Sequence, residues 1–269
     1  MMEKFVEICY YRKDVIIYEV DMLGKLEIML ENEDNRLNYN ISSLFQGVLM
    51  ESISAPYADN LHKTGLKPYS QYLEFENNLI KWTIHTMTEE AKNQVINPLL
   101  NNMQDVNLKQ KNITLKVLEK KVSIKTYEQL LNEKYFFQGN PYLDVTFITP
   151  TAFKSQGKYV FYPDLKLIFQ SLMNKFDNSS ANSSIYSEEA LEHLIENSDI
   201  TRYRLKSTVF HMEGIVIPSF MGRITIKIRG PQAMVNLANL LFAYGEYSGV
   251  GIKSAIGMGG LRVNERSTK

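Results

Sequence analysis

Cysteine is almost missing from this chain. Cys9 stands alone among 269 residues, which excludes a disulfide framework and a thiolate metal cluster and fits a reducing, cytoplasmic setting. No apolar run approaches the ~18 residues that a membrane-spanning helix needs, so no membrane partner is expected. Glu3 and Glu7 fall where a secretory signal would carry no acids. No H-E-x-x-H occurs, and no clustered Asp and Glu suggest a two-metal nuclease, so neither a metal nor a cofactor is predicted. Tyr247-Ser248-Gly249 is not a nucleophile elbow, because the nearest preceding glycine is Gly245. Net charge is missing too: 30 Lys and Arg balance 30 Asp and Glu, which on its face counts against a nucleic-acid partner.

What is present is an ordinary globular composition, 44% apolar and 22% charged, over a length that suits one large domain or two smaller ones. The charge is unevenly spread. Residues 1–140 hold 16 basic and 19 acidic side chains, and residues 141–269 hold 14 and 11. Arg202, Arg204, Lys206, Arg223, Lys227 and Arg229 fall within 201–230 beside a single acid, Glu213. Such a run is either a solvated sheet face or a local field that attracts a polyanion such as RNA.

The periodicity reads twice as β-α-β-β-α-β. In the first half Lys25–Leu30 is a strand and Ile41–Ile53 a helix. Ser70–Phe75 and Leu79–His85 form a hairpin turning at Glu76-Asn77-Asn78. Thr88 caps a second helix whose first turn carries Glu89 and Glu90, and Asn112–Ile124 alternates as a strand. Phe5–Tyr10 and Val15–Val20 read as an added hairpin, and residues 1–22 have no assigned role. In the second half Asp144–Ile148 is a strand, and Pro163 opens a helix with Leu165, Ile168, Phe169, Leu172 and Phe176 on one stripe. Residues 177–184 form a polar insertion. Arg202–Phe210 and Met221–Arg229 pair as strands, and Pro231 begins a helix that Gly245 ends. The expectation is an α+β chain of two tandem ferredoxin-like (RRM-like) domains, residues 1–138 and 139–269.

The most informative stretch is G-V-G-I-K-S-A-I-G-M-G-G, from Gly249 to Gly260, which holds Gly249, Gly251, Gly257, Gly259 and Gly260 together with Lys253 and Ser254. Glycines let backbone N–H groups converge on an anion, so the run is expected to lie against phosphate. It is not a Walker loop, because Met258 follows Gly257 where lysine is required. Nor is it a dinucleotide fingerprint. A helix precedes it, and only nine residues follow Gly260, enough for the one strand expected at Leu261–Arg266.

Of four histidines, His62 is the one set for chemistry. It lies in N-L-H-K-T-G-L-K-P-Y, just after the first helix in a segment rich in loop formers, and so reads as a loop histidine close to Lys63 and Lys67. Neighbouring lysines favour its neutral form and suit proton exchange near neutral pH. The competing reading is a helix-capping or packing histidine. His85 and His211 read as sheet-face residues, and His193 lies on an exposed helix.

With these pieces placed, the chain resembles the CRISPR-associated endoribonuclease that cuts precursor crRNA within its repeats, the sixth numbered Cas family of the RAMP superfamily. Three regions carry the resemblance. The glycine run matches that family's loop between last helix and last strand. Residues 57–69, Y-A-D-N-L-H-K-T-G-L-K-P-Y, match the helix-end segment holding its catalytic histidine. Residues 147–163, F-I-T-P-T-A-F-K-S-Q-G-K-Y-V-F-Y-P, match the opening of its second domain. The likeness runs from about residue 25 to 265 and is strongest to members that accompany type III systems.

The resemblance implies metal-independent cleavage by the substrate's own 2′-OH, giving 2′,3′-cyclic phosphate and 5′-OH ends. His62 and Lys67 would be catalytic. Gly249, Gly251, Lys253, Ser254, Gly257, Gly259 and Gly260, with Arg202, Arg204, Arg223, Lys227 and Arg229, would hold CRISPR repeat RNA. The tyrosine that some members carry on the first helix falls at Met50, with Tyr39 or Tyr57 as weak substitutes. Pairing of two chains and hand-over of product to a type III effector complex are both compatible with the likeness. The rival class is a RAMP protein that holds crRNA without cutting it. A nucleotide-binding metabolic enzyme is a third, less favoured reading.

Overall fold

The structure, a computed structural model, describes residues 22–32, 37–180, 184–212 and 214–264. The hairpin expected at 5–20 lies outside them. The chain forms β1 (Met22–Glu31), α1 (Ser42–Ser52), α2 (Ala55–Lys63), β2 (Tyr69–Glu76), β3 (Leu79–Thr86) and α3 (Glu89–Ala91). A π-helical turn, Lys92–Ile96, leads into α4 (Asn97–Asn102), then β4 (Asp105–Leu108), β5 (Ile113–Thr126) and α5 (Tyr127–Lys134). The second half comprises β6 (Tyr142–Thr151), β7 (Phe153–Ser155), β8 (Lys158–Val160), α6 (Leu165–Ser179), α7 (Glu188–Glu196), β9 (Ser198–Met212), β10 (Ile215–Ile228), α8 (Gln232–Ser248) and β11 (Leu261–Asn264).

Two large antiparallel sheets result, ordered β2-β3-β1-β5-β4 and β11-β6-β10-β9, and β7 and β8 pair as a separate two-stranded ribbon. Without the short edge strand β4, the first reads second, third, first, fourth within its own unit. The second sheet reads the same order from its other edge, so both halves share the ferredoxin-like arrangement. The expected boundary at 138/139 falls between α5 and β6. Alternation builds the cores: Leu26, Ile28 and Leu30 of β1 are buried with Ile80, Trp82 and Ile84 of β3. Trp82 meets Phe45 of α1 edge-on at 5.0 Å and donates its indole N–H to Gln71 Oε1 at 2.6 Å, which satisfies its polar end. A third cluster joins the halves. Leu23, Met87, Tyr127 and Leu130 pack with Phe176, Leu240, Ala243 and Tyr244.

Several local expectations need correction. The last helix runs past Gly245 to Ser248, because a Cβ at Gly245 would press on Leu172 and Leu261 and glycine lets α8 close on them. Gly249, not Gly245, ends that helix. Pro163 precedes α6 rather than opening it, since the Asp164 carboxylate caps the helix by accepting from Leu167 N at 3.0 Å. Pro231 likewise stands at the cap of α8. The β9–β10 hairpin is longer than its basic segments suggested, β4 and α5 are additions to the expected pattern, and α7 is the helix expected around His193.

Candidate active site

His62 is not in a loop, as its loop-forming neighbours suggested, but in the last turn of α2. Tyr57 and Leu61 bury one side of that helix, and His62 is exposed on the other. Its side chain lines a cleft of about 370 Å³ whose walls include Gln46, Met50 and Glu51 of α1 and Asn107 and Lys109 near β4. Lys109 pairs with Glu51 at 2.7 Å. Met50 thus shares the cleft with His62, and no tyrosine is among the described residues that line it. Tyr57 is buried, and burial pushes its hydroxyl well above the usual range. Tyr39 is bonded to Thr208 Oγ1 at 2.6 Å. Neither lines the cleft.

Lys67 anchors the turn that bears His62. Its ammonium donates to Leu61 O and Thr64 O, closing the carbonyl end of α2 where a cation complements the helix dipole. Burial holds its pKa below the ordinary lysine value, and the positive charge of Lys253 lowers it further. The fold therefore brings Lys67 and Lys253 into each other's field although 185 residues separate them. Two cations in each other's field at the end of the helix that bears His62 suit phosphate chemistry.

The glycine run is not a ring of free amides. Nine of its twelve N–H groups are donated inside the protein: those of Gly249, Val250, Ile252, Ile256, Gly257, Met258 and Gly259 to backbone carbonyls, and those of Gly251 and Gly260 to Ser171 Oγ and Thr149 Oγ1 at 2.9 Å. Gly251 (φ 73°) and Gly259 (φ 68°) lie in the left-handed region, and a Cβ on either would overlap a backbone oxygen, of Ala152 or Val250. Glycine here permits close backbone packing within the second half of the molecule. The expectation of an amide cradle for phosphate fails for these nine groups, because neighbouring strands and turns already use them. Lys253 is the one exposed residue of the run. Ser254 Oγ accepts from Lys175 Nζ at 3.0 Å.

The basic residues of the β9–β10 hairpin share one sheet face. Arg204 stands opposite Arg223, and Arg202 opposite Thr225. Asp144 on β6 relieves the like-charge contact by pairing with Arg223 at 3.1 Å. Arg229 pairs with Asp199, and Lys227 lies 5.6 Å from the Tyr142 ring centroid. Arg202 and Arg204 are exposed with no salt bridge among the described residues. None of these five side chains lines the His62 cleft.

Comparison with known proteins decides the family. Residues 145–261 match the family model described as CRISPR-associated endoribonuclease Cas6. A CRISPR-associated endoribonuclease Cas6 of Streptococcus thermophilus is 36% identical over 224 residues, covering 82% of this chain and 90% of that protein. The chain belongs to the Cas6 family. A Cas6 of Mycobacterium tuberculosis is 32% identical over 250 residues, covering 90% of this chain and 78% of the relative. Among solved structures, a Cas6 product complex superposes with a TM-score of 0.76 at 20% identity, over 91% of this chain and all of that one. This likeness supports the two-unit fold.

Sequence reasoning missed Lys175. It is fully buried on the apolar face of α6 and donates to Ser248 O, Gly249 O and Ser254 Oγ at 3.0–3.1 Å. It thereby ties the end of α8 and the glycine run to α6. Burial pulls its pKa down to about 7. The available signal was a lone charge between Met173 and Phe176 on an otherwise apolar stripe. The cleft residues Gln46 and Lys109 left no comparable mark.

Proposed function

We propose that this Cas6 protein cleaves precursor crRNA within CRISPR repeats without a metal ion. The substrate's 2′-oxygen attacks the adjacent phosphorus, the bond to the 5′-oxygen breaks, and a 2′,3′-cyclic phosphate and a 5′-OH remain. His62 moves a proton, as general base toward the 2′-OH or as general acid toward the leaving oxygen. Lys67 positions His62 through the end of α2. Lys67 and Lys253 together stabilise the extra negative charge of the phosphorane. Arg202 and Arg204 are held ready for the RNA backbone away from the cut. The observation that carries this reading is the exposed His62 in a cleft, on a turn clamped by Lys67, with Lys253 brought alongside from the other half.

One observation favours a second reading. Met50 occupies the cleft wall where a proton-exchanging tyrosine would be useful, which suits a protein that holds crRNA without cutting it. Incubation with the host's repeat RNA in excess EDTA separates the two. Cleavage to cyclic-phosphate ends, abolished by a 2′-deoxy substitution at the scissile nucleotide with binding retained, is the expected result. Binding without cleavage of the all-ribose RNA overturns the enzyme reading in favour of the holder.

A further inference from the structure

A second cavity, of about 520 Å³, opens beside the His62 cleft and shares Ser43, Leu44 and Gln110 with it. Its size lies within the roughly 300–1,000 Å³ of small-ligand sites. One wall is the start of α1 and the segment before it, and the other is the tip of the β9–β10 hairpin, with His211, Met212 and Ile215. The two walls are tied together. His211 N donates to Asn40 Oδ1 at 3.0 Å, and Tyr39 OH shares a hydrogen bond with Thr208 Oγ1. Just behind the hairpin tip, Met258 of the glycine run packs with Phe210 and Ile217. The cavity is thus built by both halves of the molecule.

The chemistry of its lining is selective. Side-chain amides of Asn38, Asn40 and Gln110 face it together with Lys111 and His211. Apolar surface is present too, since Ile215 is 48% and Val216 53% exposed at the hairpin tip. Amides pair with base edges, apolar walls suit a base face, and a lysine suits a phosphate.

We infer that this cavity is a specificity pocket for one unpaired nucleotide of the RNA next to the cleaved bond. Gln110 and the neighbouring amides read the base edge, Ile215 lies against its face, and Lys111 meets its phosphate. The inference rests on the ribonuclease reading, because the shared wall is what places the pocket one step from His62.

The test uses repeat RNAs carrying each of the four bases at every position flanking the cut, compared between wild type, Gln110→Ala, His211→Ala and Lys111→Ala. Single-turnover rates and the affinities of the uncleavable 2′-deoxy forms are both measured. Wild type is expected to discriminate by about tenfold or more at one flanking position. Gln110→Ala or His211→Ala should reduce that preference to within about threefold while leaving preferences elsewhere and the melting temperature unchanged. Lys111→Ala should weaken all sequences alike and lower the salt slope by about one. Equal tolerance of all bases by wild type, or a preference that survives both Gln110→Ala and His211→Ala, overturns the pocket. If wild type fails to cleave any RNA yet shows the base preference in affinity, the ribonuclease reading falls and the pocket stands.

Discussion

The end of α2 and the glycine run both carry the marks of phosphate chemistry, and the fold treats them in opposite ways. His62 is exposed on a turn whose carbonyls are capped by Lys67, so its ring is available to a substrate. The glycine run is turned inward, with nine amides spent on the protein itself and its outward contribution reduced to Lys253. The first segment can lose the exposed His62 side chain without losing its shape. The second cannot gain a methyl group without moving a backbone. A glycine-rich motif therefore signals that backbones approach closely, and whether they approach a ligand or each other depends on what the rest of the chain brings near.

The sharpest way to break this contrast is to add a Cβ where the run is most crowded. Gly259→Ala places a side chain at φ 68° against Val250 O. It should cost at least about 1–3 kcal/mol and lower the melting temperature by several degrees. Gly65, between Lys67 and the end of α2, has no atom near its Cβ position, so Gly65→Ala should stay within about 0.5 kcal/mol. Equal melting temperatures for the two variants would refute the packing account of the run. Calorimetry or thermal fluorescence decides it.

A smaller effect sharpens the picture of the seam beneath α8. His85 is fully buried under Tyr247, 5.3 Å between ring centroids, and burial, aided by Lys25, pulls its pKa down to about 3. Its unfolded value lies near 6.5, so the unfolded chain binds more protons between those values. Stability from this group is complete above pH 6.5 and falls as the pH drops toward 3, with a limit of about 1.4 kcal/mol per pH unit. Denaturant midpoints followed from pH 7 to 4 should decline less steeply in His85→Gln than in wild type. Parallel slopes would show that His85 is not the titrating group.

Much of the fold was legible because alternation survives burial. β1, the β2–β3 hairpin and the Thr88 cap fall where their residues predict, and the apolar stripe of α6 does too. A motif singled out His62 and Lys67, and the fold sets both at the end of α2. The remainder depends on contacts between distant segments. Gly245 reads as a helix end until Leu172 and Leu261 are seen pressed against it. The amides of the run read as free until Pro150, Ala152 and Ser171 arrive to accept them. Lys175 makes its bonds about 75 residues downstream, a separation that no local pattern encodes. The cavity at the hairpin tip likewise has walls from both halves, so neither half's sequence contains it.

The measurement closest to the centre of this account is single-turnover cleavage of repeat RNA in EDTA by His62→Ala beside wild type, with equilibrium RNA affinity taken on the same samples. The rate should fall by about 10²–10⁴-fold while affinity stays within about threefold, because an exposed proton-transfer group acts on the transition state and not on binding. A loss of affinity as large as the loss of rate, or a rate that does not change, would contradict the assignment of the chemistry to the end of α2.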